Sequence, residues 1–539
     1  MLSTLIQRIV KAKAEIGSNW RGLVLEKGEP TLGDKPVDGR ILVTLIHLSD
    51  LHICDAASPV RLEFLDRLAD PDNPLSALIP YVGTYRAQEF LTTHVLEAMV
   101  IATNEIEKGP LMGAKIDAVV ITGDVTDNAQ KNELDWYKKI LDGGLVDPKS
   151  GDSIRSEASH SSNLSNYDIH YYHPDGPPPG AEPDRPSSLH GFPHFKGALK
   201  ASESPFIASG LKHPWFAIHG NHDALLQGTA APTPELDLLA KGSQKFTGLR
   251  DLSDLGELFQ GFGEVGPAIY PALDYLLTKN ISADSHRGLV SMSDWVEVNT
   301  NCAHDHGLDA NFPEIAYWTR DLNSEVRLIA LDTVNRFGGW QGCLDREQFA
   351  WLSQLLIEST GRYVVITSHH PIENLINNYA PEGVNTPVME NEVRELLSLF
   401  PNVVLWIAGH VHDHKITQHK KEDGSHSFWE IRTGSHIDWP QQSRTIEIVK
   451  CREGSIAIGT VVYDHAGPLE FTGTKEELNS PVALAGLSRL LASNDWQRQS
   501  GPYALSIAEG TPQDRNIWLF ANDPFKLNEI NIGSRRAAK

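Results

Sequence analysis

Five short runs of this chain carry side chains able to hold a cation or move a proton. They are Asp50-Leu51-His52, Gly123-Asp124, Gly220-Asn221-His222-Asp223, His369-His370-Pro371 and Gly409-His410-Val411-His412. Together they offer carboxylate, amide and imidazole donors without a thiolate, a set suited to divalent Mn, Fe, Zn or Co. Each run alone is a weak signal, because DxH recurs by chance and a buried histidine pair is more often structural. The whole set is a strong one. Two cations about 3.5–4 Å apart need an anionic bridge against their mutual repulsion, and a carboxylate provides it. A water shared between such ions is acidified into a hydroxide nucleophile at neutral pH.

Every run follows a stretch that reads as a β-strand, and in an open α/β sheet ligands bind outside the carboxyl ends of the strands. The expected strands are Ile41–Leu48, Ile116–Ile121, Trp215–Ile218, Val326–Leu331, Tyr363–Ser368, Val403–Ile407, Phe428–Arg432, Thr445–Val449 and Ser455–Val462. A long amphipathic helix is expected from about Tyr85 to Lys108. Gly123, Gly220 and Gly409 allow sharp turns and a close approach of backbone to ligand.

The ordered set resembles the calcineurin-like metallophosphoesterase superfamily, whose pattern is DxH, GD, GNH(D/E), H and GHxH. The resemblance spans about Ile41 to Asp464 and implies an α/β fold, a β-sandwich flanked by helices with the metals at one edge. It implies that Asp50, His52 and His412 hold one ion, that Asn221, His369 and His410 hold the other, and that Asp124 bridges them. His222 would contact the phosphate and help the leaving oxygen depart, with Asp127 or Asp223 as candidates to orient it. His370 reads as a neighbour of the ligand His369 rather than a ligand.

Ala330-Leu331-Asp332-Thr333, with Gly342, Leu344, Gln348, Trp351 and Leu352, is similar to class III cyclic-nucleotide phosphodiesterases, with Asp332 read as fixing a turn. Long bacterial metallophosphoesterases of no settled substrate share the layout. The chain departs from the protein phosphatases, because Asn128-Ala129 stands where they carry an arginine motif, and from the purple acid phosphatases, because Asp127 stands where they carry tyrosine.

The core domain is expected over 40–466, with insertions at about 129–213 and 225–325, an amphipathic helical extension over 1–39 and a separate appendage over 467–539. Residues 147–205, rich in Ser, Pro, Gly, His and Asp, read as an irregular excursion that is partly ordered at best. Helical pieces are expected near Glu235–Ala240, Pro271–Leu277 and Val482–Ala492. The insertions could cap the site, with His304, Asp305 and His306 as candidate contacts, and Trp439 could stack on a base or sit in the core.

Composition narrows the function. The 539 residues carry a formal charge of -23, which opposes a nucleic-acid backbone as partner and so a nuclease. No apolar run reaches the ~20 residues a bilayer needs, so no membrane partner is expected. The 4 cysteines form no CxxC pair, which fits a cytoplasmic setting. The expectation is a dinuclear metal-dependent hydrolase of a small phosphodiester or phosphomonoester that attacks with a metal-bridging hydroxide. The alternative is a degenerate scaffold that binds without turnover.

Overall fold

The computed structural model describes residues 3–13, 19–36, 38–79, 81–250, 276–300, 306–421 and 426–525. In chain order the strands begin with β1 (Gln7–Lys11), β2 (Leu23–Lys27), β3 (Arg40–Leu48), β4 (Ala118–Ile121), β5 (Gly144–Val146) and β6 (Phe206–Ala208). Next come β7 (Trp215–Ala217), β8 (Gln244–Leu249), β9 (Leu276–Asn280), β10 (Trp318–Asp321), β11 (Val326–Leu331) and β12 (Tyr363–Ser368). The last are β13 (Val403–Ala408), β14 (Lys415–Lys420), β15 (Ser427–Arg432), β16 (Gln442–Lys450), β17 (Ser455–Asp464) and β18 (Ile517–Asn522).

Two six-stranded sheets form the body, in the orders β18-β17-β16-β3-β4-β7 and β10-β11-β12-β13-β15-β14. In the first, β3, β4 and β7 run parallel; in the second, β11, β12, β13 and β15 do. Side chains alternate across a strand, so each sheet has two faces to cover. On β11 and β12 the set Val326, Leu328, Ala330, Tyr363 and Val365 joins the main core with residues of β3, β4 and β16. Their neighbours Ile329, Leu331, Val364 and Ile366 pack outward under the helices Arg346–Glu358 and Glu390–Leu397. The helices α1 (Thr92–Asn104) and α2 (Lys131–Asp142) contribute Leu96, Met99, Leu134 and Tyr137 to the main core. The sandwich brings the carboxyl ends of β3, β4, β7, β12 and β13 to one edge.

Several expectations are corrected. The N-terminal extension is a β-hairpin of β1 on β2, not a helix, because cross-strand pairing from Gln7↔Lys27 to Lys11↔Leu23 satisfies its backbone. Helix α1 begins at Thr92, with residues 85–91 in turns ahead of it. Residues 147–205 are largely irregular, as expected, with short helices at Arg185–His190 and Ala198–Ser202, but they pack against the body. Asp55, buried and ion-paired with Arg287, anchors Ser150 there, and Tyr172, Phe192 and Leu199 join a second core. Strand β10 lies in the stretch expected to be an insertion yet forms the edge of a main sheet. Leu276–Asn280 is a strand paired with β8, while 271–275 falls outside the described residues. The helix Pro481–Ser493 matches the expected piece.

The chain beyond 467 is not separate either. Strand β18 pairs with β17 from Ser455↔Asn522 to Thr460↔Ile517. Buried Arg444 of β16 clamps the approach to β18, donating to the carbonyls of Asp514 at 2.7 Å and Arg515 at 3.0 Å and to Thr460 Oγ1 at 2.8 Å. Burial pushes its pKa down to about 9, because its hydrogen bonds run to carbonyls and hydroxyls rather than to a carboxylate. Arg444→Met leaves those carbonyls buried and unpaired. It is expected to lower unfolding stability by about 3 kcal/mol, measured by denaturant titration against wild type.

Candidate metal centre

Backbone geometry already marks the site. Asp50, His52, Asp124, His410 and His412 all hold positive φ, at 51°, 45°, 49°, 72° and 59°. Non-glycine residues enter this left-handed region rarely and at a cost of about 1–3 kcal/mol where it is strained, and such strain clusters at functional sites. Two glycines let the loops interlock. A Cβ on Gly220 would lie 2.3 Å from Asp124 Oδ1, and one on Gly409 would lie 2.0 Å from Ser49 Oγ.

The histidines meet as two pairs. His52 Nε2 faces His412 Nε2 at 3.1 Å, and His369 Nε2 faces His410 Nδ1 at 3.2 Å. Their outward nitrogens are engaged elsewhere: His52 Nδ1 on Asp127 at 3.0 Å, His412 Nδ1 on Asp438 at 2.7 Å, and His369 Nδ1 on the Thr122 carbonyl at 2.7 Å. Such outer partners fix the tautomer and aim the inner nitrogen at a shared ligand. Asp124 Oδ2 stands between the pairs, 3.1 Å from His369 Nε2 and 3.7 Å from His52 Nε2. Asp50 Oδ1 lies 3.5 Å from His412 Nε2. Buried Asn221 Oδ1 finds no hydrogen-bond partner among the described residues, while its amide nitrogen donates to the Gly228 carbonyl at 3.0 Å.

These residues fit divalent cations. The expected ligands converge, two pairs of imidazole nitrogens face one another at 3.1 and 3.2 Å, and a buried amide oxygen is orphaned. Electrostatics agree. Burial by itself would lower the pKa of His369 and of His412, but Asp124 raises the first and Asp50 the second, each to about 9. The site therefore attracts positive charge, which protons supply when metal does not. Metal must displace those protons, so apparent affinity is expected to rise by about tenfold per pH unit for each proton released, up to pH 9. Calorimetry in buffers of different ionisation enthalpy measures the release; uptake without proton release would count against this ligand set.

Of the residues beside the expected ligands, Asp127 and Asp223 differ in detail from expectation, while His370 and Asp332 sit as expected. Asp127 does hold His222, but through its carbonyl, which accepts from Nδ1 at 2.7 Å; its carboxylate stands 3.9 Å off and serves His52 and Arg61 instead. Asp223 does not touch the His222 ring. Its carboxylate accepts from the amides of Val125, Thr126 and Gly220 at 2.9, 3.0 and 2.9 Å, tying the GD and GNHD loops together. Burial, with Asp124 nearby, pushes its pKa up to about 6. His370 spends Nδ1 on Thr333 Oγ1 and Nε2 on the Trp340 carbonyl, as a non-ligand would. Asp332 accepts from Val334 N–H at 3.2 Å, the turn-fixing part expected of it.

Trp439 is core: it is 1% exposed and its indole donates to Glu509. His306 packs on Trp215 and binds its carbonyl, inside the sheet rather than at the cleft, while His304 and Asp305 fall outside the described residues.

Sequence reasoning missed Asp438. Despite its burial, Arg86 and Arg498 hold its carboxyl well below the usual range, with Arg86 Nε at 2.7 Å and Arg498 Nη1 at 2.9 Å. It lies one residue before Trp439, yet nothing local in the sequence marks this carboxylate as the partner of His412.

Residues 193–414 match the family model of the calcineurin-like phosphoesterases. That stretch of the chain is similar to the calcineurin-like phosphoesterases. The match includes Asn221, His222, His369, His410 and His412, and the fold adds Asp50, His52 and Asp124 from strands ahead of it. No curated protein matches the chain. Among solved structures, a dimetal phosphatase from Danio rerio is 12% identical with a TM-score of 0.35, over 79% of this chain and 100% of that one. A putative 5′-nucleotidase from Staphylococcus aureus is 11% identical with a TM-score of 0.28, over 82% and 58% respectively. The calcineurin-like phosphoesterase YfkN from Bacillus subtilis is 10% identical with a TM-score of 0.24, over 84% and 99%. Among the described residues no helix is long and apolar enough to cross a membrane.

Proposed function

We propose that the cleft holds two divalent cations, Mn, Fe, Zn or Co, and hydrolyses a small phosphodiester or phosphomonoester. The observation that carries this reading is the placement of Asp124 Oδ2 between two imidazole pairs, within 3.1 Å of one and 3.7 Å of the other. Asp50, His52 and His412 would hold one cation and Asn221, His369 and His410 the other, with Asp124 shared. When bound, such cations supply Lewis acidity that sharpens water as a nucleophile and offsets charge on phosphoryl oxygens.

The chain's own groups do the rest. His222 is fixed by its Nδ1–H on the Asp127 carbonyl, which leaves Nε2 to exchange a proton with the leaving oxygen. Burial holds its pKa down to about 4, so in the absence of an anion it rests as a neutral imidazole. A phosphate arriving beside it favours the protonated, donating form. Asp127, Asp438 and the Thr122 carbonyl keep three imidazoles aimed inward while substrate binds and leaves.

The test is a metal-reconstituted screen of bis-p-nitrophenyl phosphate, cyclic AMP, glycerophosphodiesters and nucleotides. Turnover that needs added metal and stops on chelation supports the proposal. Full metal uptake with no turnover of any ester would favour the degenerate scaffold instead.

A further inference from the structure

The metal-site residues open onto a cavity of about 610 Å³. His52, Asp124, Asn221, His222, His410 and His412 form its floor. Its walls come from residues outside the five motifs, among them the start of the insertion expected at 225–325. One wall is apolar: Leu62, Leu65, Ile79, Val82, Leu226 and Ala230 line it. Leu62, Leu65, Leu226 and Ala230 belong to a small separate core, with Ile79 and Val82 partly buried against it. The wall is continuous with His222, because Leu226 and Ala230 sit in the turn that follows it and Leu225 N–H binds the Asn221 carbonyl. It therefore borders the side on which His222 meets the leaving oxygen.

Several of the polar groups around the cavity are engaged with one another. Arg86 and Arg498 both bind Asp438, and Arg498 also donates to the Tyr503 carbonyl at 2.9 Å. Gln227 accepts from Leu62 N–H at 2.7 Å and donates to the Thr84 carbonyl at 3.5 Å. Tyr81 stacks on Tyr503 with centroids 5.0 Å apart, under the Arg498 guanidinium. Guanidiniums tied to a buried carboxylate are poorer anchors for a second phosphate than free ones, and an amide used up internally does not read the edge of a base.

We infer that the preferred substrate is a phosphate ester whose leaving group is an apolar alcohol, seated against Leu62, Leu65, Ile79, Val82 and Leu226, rather than a nucleoside. This deepens the phosphoesterase reading and rests on it. Leu62, Leu65, Ile79 and Val82, with the C-terminal residues Arg498 and Tyr503, would then set specificity, while the motifs set the reaction.

The experiment measures kcat/KM for ethyl, butyl, hexyl and octyl phosphate and for their methyl diesters, with 5′-nucleotides alongside. Each methylene moved from water to the wall is expected to raise kcat/KM by about threefold until the cavity is filled. In an Ile79→Asn/Val82→Asn double variant the octyl-to-ethyl ratio is expected to collapse. That ratio does not depend on the fraction of active enzyme. A flat series in the wild type, a ratio unchanged in the variant, or nucleotides turned over faster than octyl phosphate would overturn the inference. If no ester is hydrolysed, the phosphoesterase reading has failed, and titration with hexylphosphonate and methylphosphonate still decides the pocket. Binding at least tenfold tighter for the hexyl compound upholds it; equal binding refutes it.

Discussion

Asp124→Asn is expected to cost roughly a thousandfold in turnover and to strip most of the bound metal. The substitution separates charge from shape. Asparagine tolerates the left-handed backbone that Asp124 adopts at φ 49°, so the turn after β4 should survive. The side chain can keep one oxygen on the His222 amide, now 2.8 Å from Asp124 Oδ1. What changes is the atom facing His369 and His52, where a carboxylate oxygen becomes an amide or loses its charge. A group meant to offset two cations then offsets neither. Elemental analysis beside kcat gives the answer. Wild-type metal content with wild-type turnover would refute a shared carboxylate at this position.

His222→Ala is expected to leave the metal content intact and to reduce kcat by about 10²–10⁴-fold. The ring lies edge-on to His52, with centroids 4.6 Å apart, but its hydrogen bond runs to the Asp127 carbonyl rather than to a ligand side chain. Its loss therefore leaves the inner nitrogens where they are. The deficit should grow with the pKa of the leaving alcohol, because a poor leaving group depends most on a donated proton. A plot of log kcat against leaving-group pKa that keeps the wild-type slope would remove His222 from proton transfer. Metal lost together with activity would instead make it a ligand.

These two substitutions could be chosen from sequence because the groups concerned belong to short strand-plus-turn motifs. A DxH or GNHD run holds its donors and the glycines that let loops approach within a few residues. Parallel strands then bring their carboxyl ends to one edge of the sandwich. Strands in the core were equally legible, since uninterrupted apolar runs such as Tyr363–Ser368 are buried on both faces.

The misreadings share a cause. Leu5, Ile9 and Val10 fit a helical period as well as a strand, and only pairing with Leu23–Lys27, remote in sequence, decides between them. Residues 147–205 have the composition of an irregular segment, yet Asp55 and Arg287 from distant loops satisfy their polar groups. The same holds for Asp438, which becomes the partner of His412 only because Arg86 and Arg498 arrive from opposite ends of the chain.

What the sequence determined by itself is the donor set: which donors are present, on which loops, and the class of cation they suit. That information is local, carried by residue type and spacing within a few positions. The tertiary structure alone decided the shape and polarity of the cavity and the partners that aim each imidazole. Those depend on contacts between residues hundreds of positions apart, where burial and charge pairing, rather than periodicity, select the arrangement.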